Sequence, residues 1–430
     1  MPHPALSDEA DPLYRPLAGP EGWGGLVVDE ESWTAAMGGL ADLRRRHPAW
    51  ADMVLRGARV AAAHQSGVLD GMHGGGRDVA LALIRGGVPD AGGADARPHV
   101  RANDAALGVA AAAPVLTEDV IRRVHEVACG PQITHRVRVD GQPRDHVFAH
   151  GEYKHHPNHV PLAGGGWRAR APVARVGAEM ASLLDRLADP AWAALHPAVR
   201  AAYVLSGVSH VAPFADGNDR VARALAGAVL LWAAGLPLLV VAEDADAYDE
   251  ALVAAGEGDA GGLARFVLDR TVGLARFVSG LDVPPDGSRD PAFERWRQQV
   301  AVARSLADAL PAVAAQALER HRARTDLGWL STLADAQVVA PGPSSHEERF
   351  DAGPLVIVVP LPGGRVVDEV VVVDGHPADG DDRVVVRARD ARLRLEVDVH
   401  EPAEVSSARL RPWLDRVIST LALRVAAELE

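Results

Sequence analysis

Apolar residues recur at helical spacing along most of the first 280 positions. In the clearest case, Val221, Ala224, Leu225, Ala228 and Trp232 fall at i, i+3, i+4, i+7 and i+11, which places them on one face of a helix. Thr117 is a predicted N-cap for a helix that begins at Glu118. The same periodicity predicts helices over Ser32–His47, Ala49–His64, Arg101–Ala113, Glu118–Ala128, Ala171–Ala188, Ala198–His210 and Val221–Ala234, with two more within 246–280.

The periodicity changes after residue 350. Leu355–Val359 and Val366–Val373 are β-branched runs, and both Arg383–Arg389 and the segment from Leu393 alternate apolar with charged residues. This pattern predicts an antiparallel meander with one face in water. A closing amphipathic helix is predicted from Leu410, with Pro412 in its first turn. The end of the chain therefore predicts a smaller α+β domain.

Composition narrows the possible partners. The 430 residues are enough for two or three domains, and the formal net charge of −14 argues against binding to nucleic acids or anionic membranes. No run of 18 apolar residues occurs, and the first residues, MPHPALSDEADP, do not resemble a signal peptide. We therefore expect a cytoplasmic protein. The single cysteine, Cys129, excludes a disulfide framework and is expected to be a buried apolar residue.

Candidate chemistry concentrates in one stretch, Ala212–Arg223, which reads APFADGNDRVAR. Arg220 and Arg223 share a helix face, and helical side chains lean toward the N-terminus, so both guanidinium groups are expected to reach over the preceding loop. Gly217 in that loop permits a close backbone approach. A loop of this kind suits a phosphate, and Asp216 could hold Mg²⁺. The alternative is an ordinary polar loop beside a solvated arginine pair.

This stretch resembles the signature loop of the Fic (Fido) family, whose pattern is HPFx(D/E)GNGRxxR. The resemblance implies a mainly α fold, a Fic/Fido helical core with a β-hairpin flap, covering roughly residues 30–280. It also implies transfer of AMP from ATP to a protein hydroxyl. In that scheme Asp216 holds Mg²⁺, and the Gly217–Asn218 turn and the two arginines cradle the phosphates. The positions that match the pattern are Pro213, Phe214, Asp216, Gly217, Asn218, Arg220 and Arg223.

Two positions depart from the family pattern. Ala212 stands at the position of the catalytic histidine, and a positioned base typically contributes ~10²–10⁴-fold to the rate. Asp219 replaces a loop glycine, and a like-charge pair at roughly 5 Å costs about 3 kcal/mol at an effective dielectric near 20. We expect weak ATP binding and very little AMP transfer. His210 is a poor substitute base, since two helical residues turn its side chain by about 200° away from Ala212; it is expected to cap carbonyls at the helix end.

A second segment resembles the family's inhibitory motif, (S/T)xxxE(G/N). Ser66 and Gly71 match it, and Asp70 takes the position of the glutamate. In the family this glutamate pairs with the second signature arginine, here Arg223, and excludes productive ATP. Because aspartate is one methylene shorter, its reach to Arg223 is doubtful. The alternative is a helix that simply ends at Gly71.

The region before the signature loop contains the predicted flap. Val137–Val139 followed by Asp140-Gly141 is typical of a hairpin. The next segment, GEYKHHPNHVP from Gly151, resembles the family's flap, which binds a target protein by strand addition. Its candidate residues are Gly151, Tyr153, Lys154, Asn158, His159 and Val160. A metal site at His155, His156 and His159 is the alternative, but the spacing is not helical and Pro157 interrupts it.

These observations predict four regions. They are an N-terminal helical region with the inhibitory-like segment (1–100), a Fic-like core (101–281), a helical connector (292–340) and an α+β domain (350–430) for interaction or regulation. A linker, DVPPDGSRDP at Asp282–Pro291, separates the core from the connector. The favoured function is a catalytically degenerate Fic protein with weak binding of ATP and Mg²⁺. The alternatives are an active nucleotidyl transferase with a displaced base and a pure protein-interaction scaffold.

Overall fold

The structure is a computed structural model that describes residues 14–429 with gaps. The chain divides into two compact units, Met1–His47 with Val54–Val283 and Pro48–Met53 with Pro284–Glu430. The residues left out of the description are 1–13, 18, 24–25, 27, 88–95, 114, 140–141, 159, 162–166, 284–290, 324–332, 334–335, 340–354, 362–365, 375–382, 389–392, 399, 402 and 430.

The first unit is helical, as the apolar spacing predicts. Thr117 is the N-cap of the helix at Glu118, with its Oγ1 accepting a hydrogen bond from Val120 N at 3.3 Å. The short apolar run Val79–Ile84, for which no helix was predicted, is also helical. The helices are α1 (Glu30–Arg46), α2 (Pro48–Leu69), α3 (Arg77–Ile84), α4 (Ala96–Ala112), α5 (Glu118–Ala128), α6 (Val176–Ala188), α7 (Pro190–Ala193), α8 (Pro197–Val211), α9 (Asn218–Ala234), α10 (Ala245–Gly256) and α11 (Gly261–Ser279).

Helix α8 lies in the middle of this unit because its sequence is apolar on nearly every side. Tyr203, Leu205 and Val208 are fully buried. Helix α9 packs against α8, α4 and α5, and α11 packs against α1 and α8. The signature loop is therefore the short connection between two of the most buried helices, and its geometry is set by their packing.

The predicted hairpin is present before the signature loop. Strand β1 (Thr134–Val139) pairs antiparallel with β2 (Gln142–Val147), with Thr134 opposite Val147. A second, shorter ladder pairs β3 (Val160–Pro161) with β4 (Trp167–Arg168). The prediction of a mainly α fold with small β elements is confirmed.

The second unit combines an antiparallel sheet with two long helices. The strands are β5 (Gln337–Val339), β6 (Leu355–Pro360), β7 (Val366–Asp374), β8 (Arg383–Ala388) and β9 (Arg394–Asp398). They form one antiparallel sheet in the order β5-β6-β7-β8-β9. Alternate residues of β6 such as Leu355, Ile357 and Val359 are buried. Two helices, α12 (Pro291–Arg322) and α13 (Ala403–Leu429), complete the unit.

Two sequence predictions need correction, and one strand was not predicted. Helix α2 continues past His64 to Leu69, so Ser66 is helical. Pro412 lies well inside α13 and not in its first turn, because α13 begins at Ala403, two turns ahead of the apolar stripe. Strand β5 was not predicted, since three residues are too short to show a period. None of the described helices combines the length and the apolarity that a bilayer crossing requires.

Candidate functional site

The signature loop begins and ends with left-handed backbone. Ala212 caps α8 with φ 47° and ψ 65°, and its N–H donates to Val208 O at 2.9 Å. Gly217 precedes α9 with φ 74°. A Cβ at this glycine would lie 2.4 Å from Cys129 Sγ and 3.1 Å from Arg220 Nη2. Only glycine satisfies both the backbone angle and the close approach.

Hydrogen bonds within the loop fix its turn. Asn218 Oδ1 accepts from Phe214 N at 2.8 Å, and Asn218 Nδ2 donates to Phe214 O at 2.9 Å. The Phe214 ring is fully buried and stacks on His125, with 3.8 Å between ring centroids and 7° between planes. The loop is therefore anchored by one amide side chain and one aromatic stack.

His125 is held as a neutral structural group. Its Nδ1 accepts from Gly151 N at 2.9 Å, so its Nε2 carries the proton and donates to Asp216 O at 3.1 Å. Burial lowers the pKa of His125 to about 4. Sequence reasoning missed this residue. The available signal was its position on the apolar face of α5, in register with Ile121 and Val124.

Asp216, the predicted Mg²⁺ ligand, is engaged by neighbouring donors. Its Oδ2 accepts from Gln132 Nε2 at 2.7 Å, and its Oδ1 accepts from Gly217 N at 2.7 Å. The same Gln132 accepts from Arg220 Nη2 at 2.7 Å through its Oε1. Gln132 thus bridges the acidic residue to the first arginine, and no motif pointed to it.

The two signature arginines are buried in a clasp made of Ser66, Asp70, Arg220 and Arg223. Asp70 Oδ2 lies 2.7 Å from Arg220 Nε, and its Oδ1 lies 2.5 Å from Arg223 Nη2. Arg223 also donates from Nε to Ser66 Oγ and from Nη2 to Ser66 O, both at 3.0 Å. Only 2% of Arg220 and 6% of Arg223 is exposed. The arginines are not a solvated pair.

The aspartate of the inhibitory-like segment does reach Arg223, contrary to the doubt raised by its length. It is the C-cap of α2, followed by Gly71 with φ 70°, and this end of the helix faces α9. Burial alone lowers the pKa of Arg223, but the negative charge of Asp70 and the interactions with Tyr248 and Asp219 outweigh it and raise that pKa above its usual range. Arg223 is therefore permanently charged.

Asp219 is held by α8. Its Oδ1 accepts from Ser209 Oγ at 2.8 Å, in the first turn of α9, where a carboxylate also suits the helix dipole. The sequence interpretation placed this carboxylate free in the phosphate cradle. In the structure it has a local hydrogen-bond partner on the neighbouring helix.

His210 is turned away from Ala212, as helical rotation predicts. Its Nε2 donates to Arg15 O at 2.6 Å, and its ring lies 5.2 Å from that of Tyr14. The expected partner, a carbonyl at the end of its own helix, is replaced by one from the segment around residue 15.

The flap segment is bound directly to the signature loop. Lys154 N donates to Pro213 O at 2.8 Å, and its Nζ donates to Asn158 Oδ1 at 2.6 Å. Asn158 Nδ2 in turn donates to Ala212 O at 3.2 Å and Phe214 O at 2.8 Å. Lys154 is 3% exposed, and burial, together with the charge of Arg170, lowers its pKa to about 7.

The other flap candidates have separate roles. Gly151 has φ 74° and its carbonyl accepts from Arg122 Nη1 at 3.0 Å. The Tyr153 ring lies under the Arg122 guanidinium, 3.8 Å from the ring centroid. Val160 begins β3, and His159 lies outside the described residues. Within the described part of the chain, no three His, Cys, Asp or Glu side chains are grouped so as to hold a metal ion.

The residues implied to bind Mg²⁺–ATP do not fit it in this arrangement. Arg220 already donates to Asp70, Ala128 O and Gln132, and Arg223 to Asp70 and Ser66. The space beside the two guanidinium groups, next to Ser66 and Asn103, measures about 20 Å³, which is room for one water. A phosphate could take these donors only after Asp70 has withdrawn.

The fold and the site define a helical domain in which the signature loop leads into the N-terminus of α9 and two buried arginines, Arg220 and Arg223, follow in that helix. Residues 115–230 match the model of the Fic/DOC family. The chain therefore carries a Fic/DOC domain in that region.

The chain is also similar to individual Fic proteins over part of its length. The chain is 36% identical over 77 residues to "Protein adenylyltransferase Fic" of Drosophila persimilis and of Drosophila pseudoobscura pseudoobscura, a match that spans 18% of this chain and 15% of each relative. A Fic-domain-containing signaling protein of Bacteroides thetaiotaomicron shares 19% identity, with a TM-score of 0.47 over 60% of this chain and 100% of that one. Fic-1 of C. elegans shares 20%, with a TM-score of 0.42 over 57% of this chain and 71% of that one.

Proposed function

We propose that this chain is a catalytically degenerate Fic protein, related to enzymes that move AMP from ATP to a protein hydroxyl. One observation carries the proposal. The residue at the position of the catalytic base is Ala212, a methyl group 2% exposed with no titratable atom. Family membership and the adenylyltransferase relatives support the reaction class.

Neighbouring titratable groups support the same conclusion because each is already engaged. His210 donates to Arg15 O, and His125 is bound at both ring nitrogens. Lys154 is bound to Asn158. A general base must reach the proton that it removes, and neither histidine is placed to do so from the position of Ala212.

The closed clasp adds a second obstacle. With both arginines bound to Asp70, the donors for the phosphates are occupied. The chain is therefore expected to bind ATP and Mg²⁺ weakly. A thermal-shift measurement with Mg²⁺–ATP is expected to show only a small stabilisation, and a null result would favour the interaction scaffold without nucleotide binding.

Label transfer from α-phosphate-labelled ATP in a lysate tests the proposal. The unmodified chain is expected to label nothing, and Ala212→His with Asp219→Gly is expected to label weakly. Adding Asp70→Ala to that pair should raise labelling further, because it frees both arginines. The matched control is Asp185→Asn, at an exposed position of α6. Labelling by the unmodified chain would overturn the proposal, and a folded but silent triple variant would show that the phosphate cradle or the flap has also degenerated.

A second candidate function has one observation in its favour. Lys154 is the only lysine in the sequence, its pKa of about 7 leaves much of it neutral near pH 7, and it is linked through Asn158 to Ala212 O. A neutral amine can accept a proton, so an active transferase with a displaced base would use Lys154. If the unmodified chain labels a target and Lys154→Met abolishes that labelling, this candidate replaces the first.

The remaining alternative is a protein-interaction scaffold that uses the flap segment from Gly151 to Val160. Its support is that Lys154 and Asn158 tie the segment to the signature loop. Capture of a target protein that survives Ala212→His and Asp70→Ala unchanged would favour a scaffold, since such binding would be independent of the nucleotide site.

A further inference from the structure

The second unit contains a cavity that the Fic domain does not account for. It measures about 550 Å³, within the range of small-molecule sites. It lies among the C-terminal half of α12, strand β5 and one side chain of α13. Its lining residues are Ala315, Gln316, Leu318, Glu319, Arg320, Arg322, Ala336, Val338 and Arg411.

The lining has an apolar part and a basic part. The apolar part consists of the aliphatic side chains of Ala315, Leu318, Ala336 and Val338, and three arginines also line the cavity. This grouping is notable in a chain with a formal net charge of −14. An apolar wall with a few convergent charged groups is the composition typical of a site for a small amphipathic ligand.

Two of the three arginines are already paired. Arg320 Nη2 lies 2.9 Å from Asp415 Oδ1. Arg322 is bound to Glu319 and donates from Nε to Leu333 O at 3.3 Å. Their charges are therefore balanced by carboxylates, and their geometry is set by the fold.

Arg411 differs from both. It is exposed on α13, one turn before Asp415, and it has no hydrogen bond or ion pair with any described residue. A guanidinium that lines a cavity without a partner can bind a carboxylate through two parallel N–H donors. Because Arg411 is the one arginine of the lining with no charged partner among the described residues, it can match one negative charge, which favours a monocarboxylate over a phosphate dianion.

We propose that this cavity binds an organic monocarboxylate, with its carboxylate on Arg411 and its apolar body against Ala315, Leu318, Ala336 and Val338. The α+β unit would then respond to a small amphipathic acid independently of the signature loop. This site does not depend on whether the Fic domain is active.

Isothermal titration of the full chain with octanoate tests the site. Octanoate is expected to bind, while acetate, which lacks the apolar body, and octanol, which lacks the charge, are expected to bind at least about tenfold more weakly. Arg411→Gln is expected to raise the Kd for octanoate by roughly tenfold or more, because a charge-assisted pair is lost. Arg416→Gln, at another exposed arginine on the same helix, is expected to leave the Kd unchanged.

Each other outcome overturns the proposal in a definite way. If millimolar octanoate produces no heat of binding, the cavity is not a site for this ligand. If Arg411→Gln and Arg416→Gln raise the Kd equally, the binding depends on overall charge and not on Arg411. Acetate binding as tightly as octanoate would remove the apolar half, and inorganic phosphate binding more tightly than octanoate would exclude the carboxylate class. Since both arginines are exposed, these variants are expected to fold, which circular dichroism verifies.

Discussion

Replacing Asp70 with alanine should separate the structural role of the clasp from any role in nucleotide binding. Asp70 is the carboxylate bound to both signature arginines, at 2.7 Å from Arg220 and 2.5 Å from Arg223. Its removal leaves two guanidinium groups, with side chains 1% and 6% exposed, facing a small void without the carboxylate that both of them contact. Arginine cannot lose its proton, so neither group can adapt by becoming neutral.

The expected cost follows from this burial. Breaking a buried ion pair by removing one partner typically costs about 3–5 kcal/mol. Here one carboxylate pairs with two arginines, which increases the expected loss in the free energy of unfolding. The side chain of Asp70 is 15% exposed, however, so water can enter the gap left by the substitution and reduce that loss. We therefore expect Asp70→Ala to lower the free energy of unfolding by about 3–4 kcal/mol, a large part of the ~5–15 kcal/mol that folded domains possess.

Chemical denaturation followed by far-UV circular dichroism measures this loss, with Asp185→Asn as a control expected to stay within about 0.5 kcal/mol. Adding pyrophosphate should then distinguish the variants. It should stabilise Asp70→Ala, whose arginines are free to bind an anion, and leave the unmodified chain unchanged, because ligand binding to the folded state stabilises it by mass action. A loss below about 1 kcal/mol would refute the argument that the buried arginines require Asp70.

Two further predictions come from the ends of the signature loop. Ala212→Gly should raise the free energy of unfolding by about 0.5–1 kcal/mol, because the left-handed φ of 47° strains an alanine more than the extra freedom of glycine costs. As a control, Ala181→Gly at an exposed position of α6 should lower the free energy of unfolding by about 1 kcal/mol. Changes of the same sign in the two variants would contradict this reasoning. The folded pKa of Lys154 is about 7 against the usual 10.5, so the unfolded chain binds more protons between these values. Between pH 7 and 10.5 the free energy of unfolding should therefore rise with pH by up to about 1.4 kcal/mol per pH unit. Lys154→Met should remove that rise. The signal of the single ¹⁵N-labelled lysine in an NMR titration gives the pKa directly.

Local patterns in the sequence were enough to predict most of the helices and the meander. The helix at Glu118–Ala128 and its Thr117 cap were predicted to the residue, since a capping side chain and an amphipathic period are both local signals. The left-handed Gly217 also follows from the sequence, because glycine in an Asp-Gly-Asn turn is typical of that backbone. What the sequence lacked there was any sign that Cys129 fills the space beneath it.

The candidate site was harder to predict because its bonds join distant segments. Gln132 carries no motif, yet it connects Asp216 to Arg220. His125 looked like one more residue of an amphipathic helix, and its two hydrogen bonds reach residues 26 and 91 positions away. The reach of Asp70 was misjudged for the same reason. Side-chain length was known, but the distance between the end of α2 and helix α9 is a product of tertiary packing.

The clasp is not by itself evidence that activity is regulated. Arg220 and Arg223 are held in the core by the packing of α9, and a buried charge without a partner costs several kcal/mol. A chain that keeps both arginines in its core must supply a carboxylate near them to remain folded, whether or not it catalyses a reaction. Asp70 meets that need whether or not nucleotide ever binds. Only a nucleotide that competes with Asp70 for the arginines would give the clasp a regulatory role.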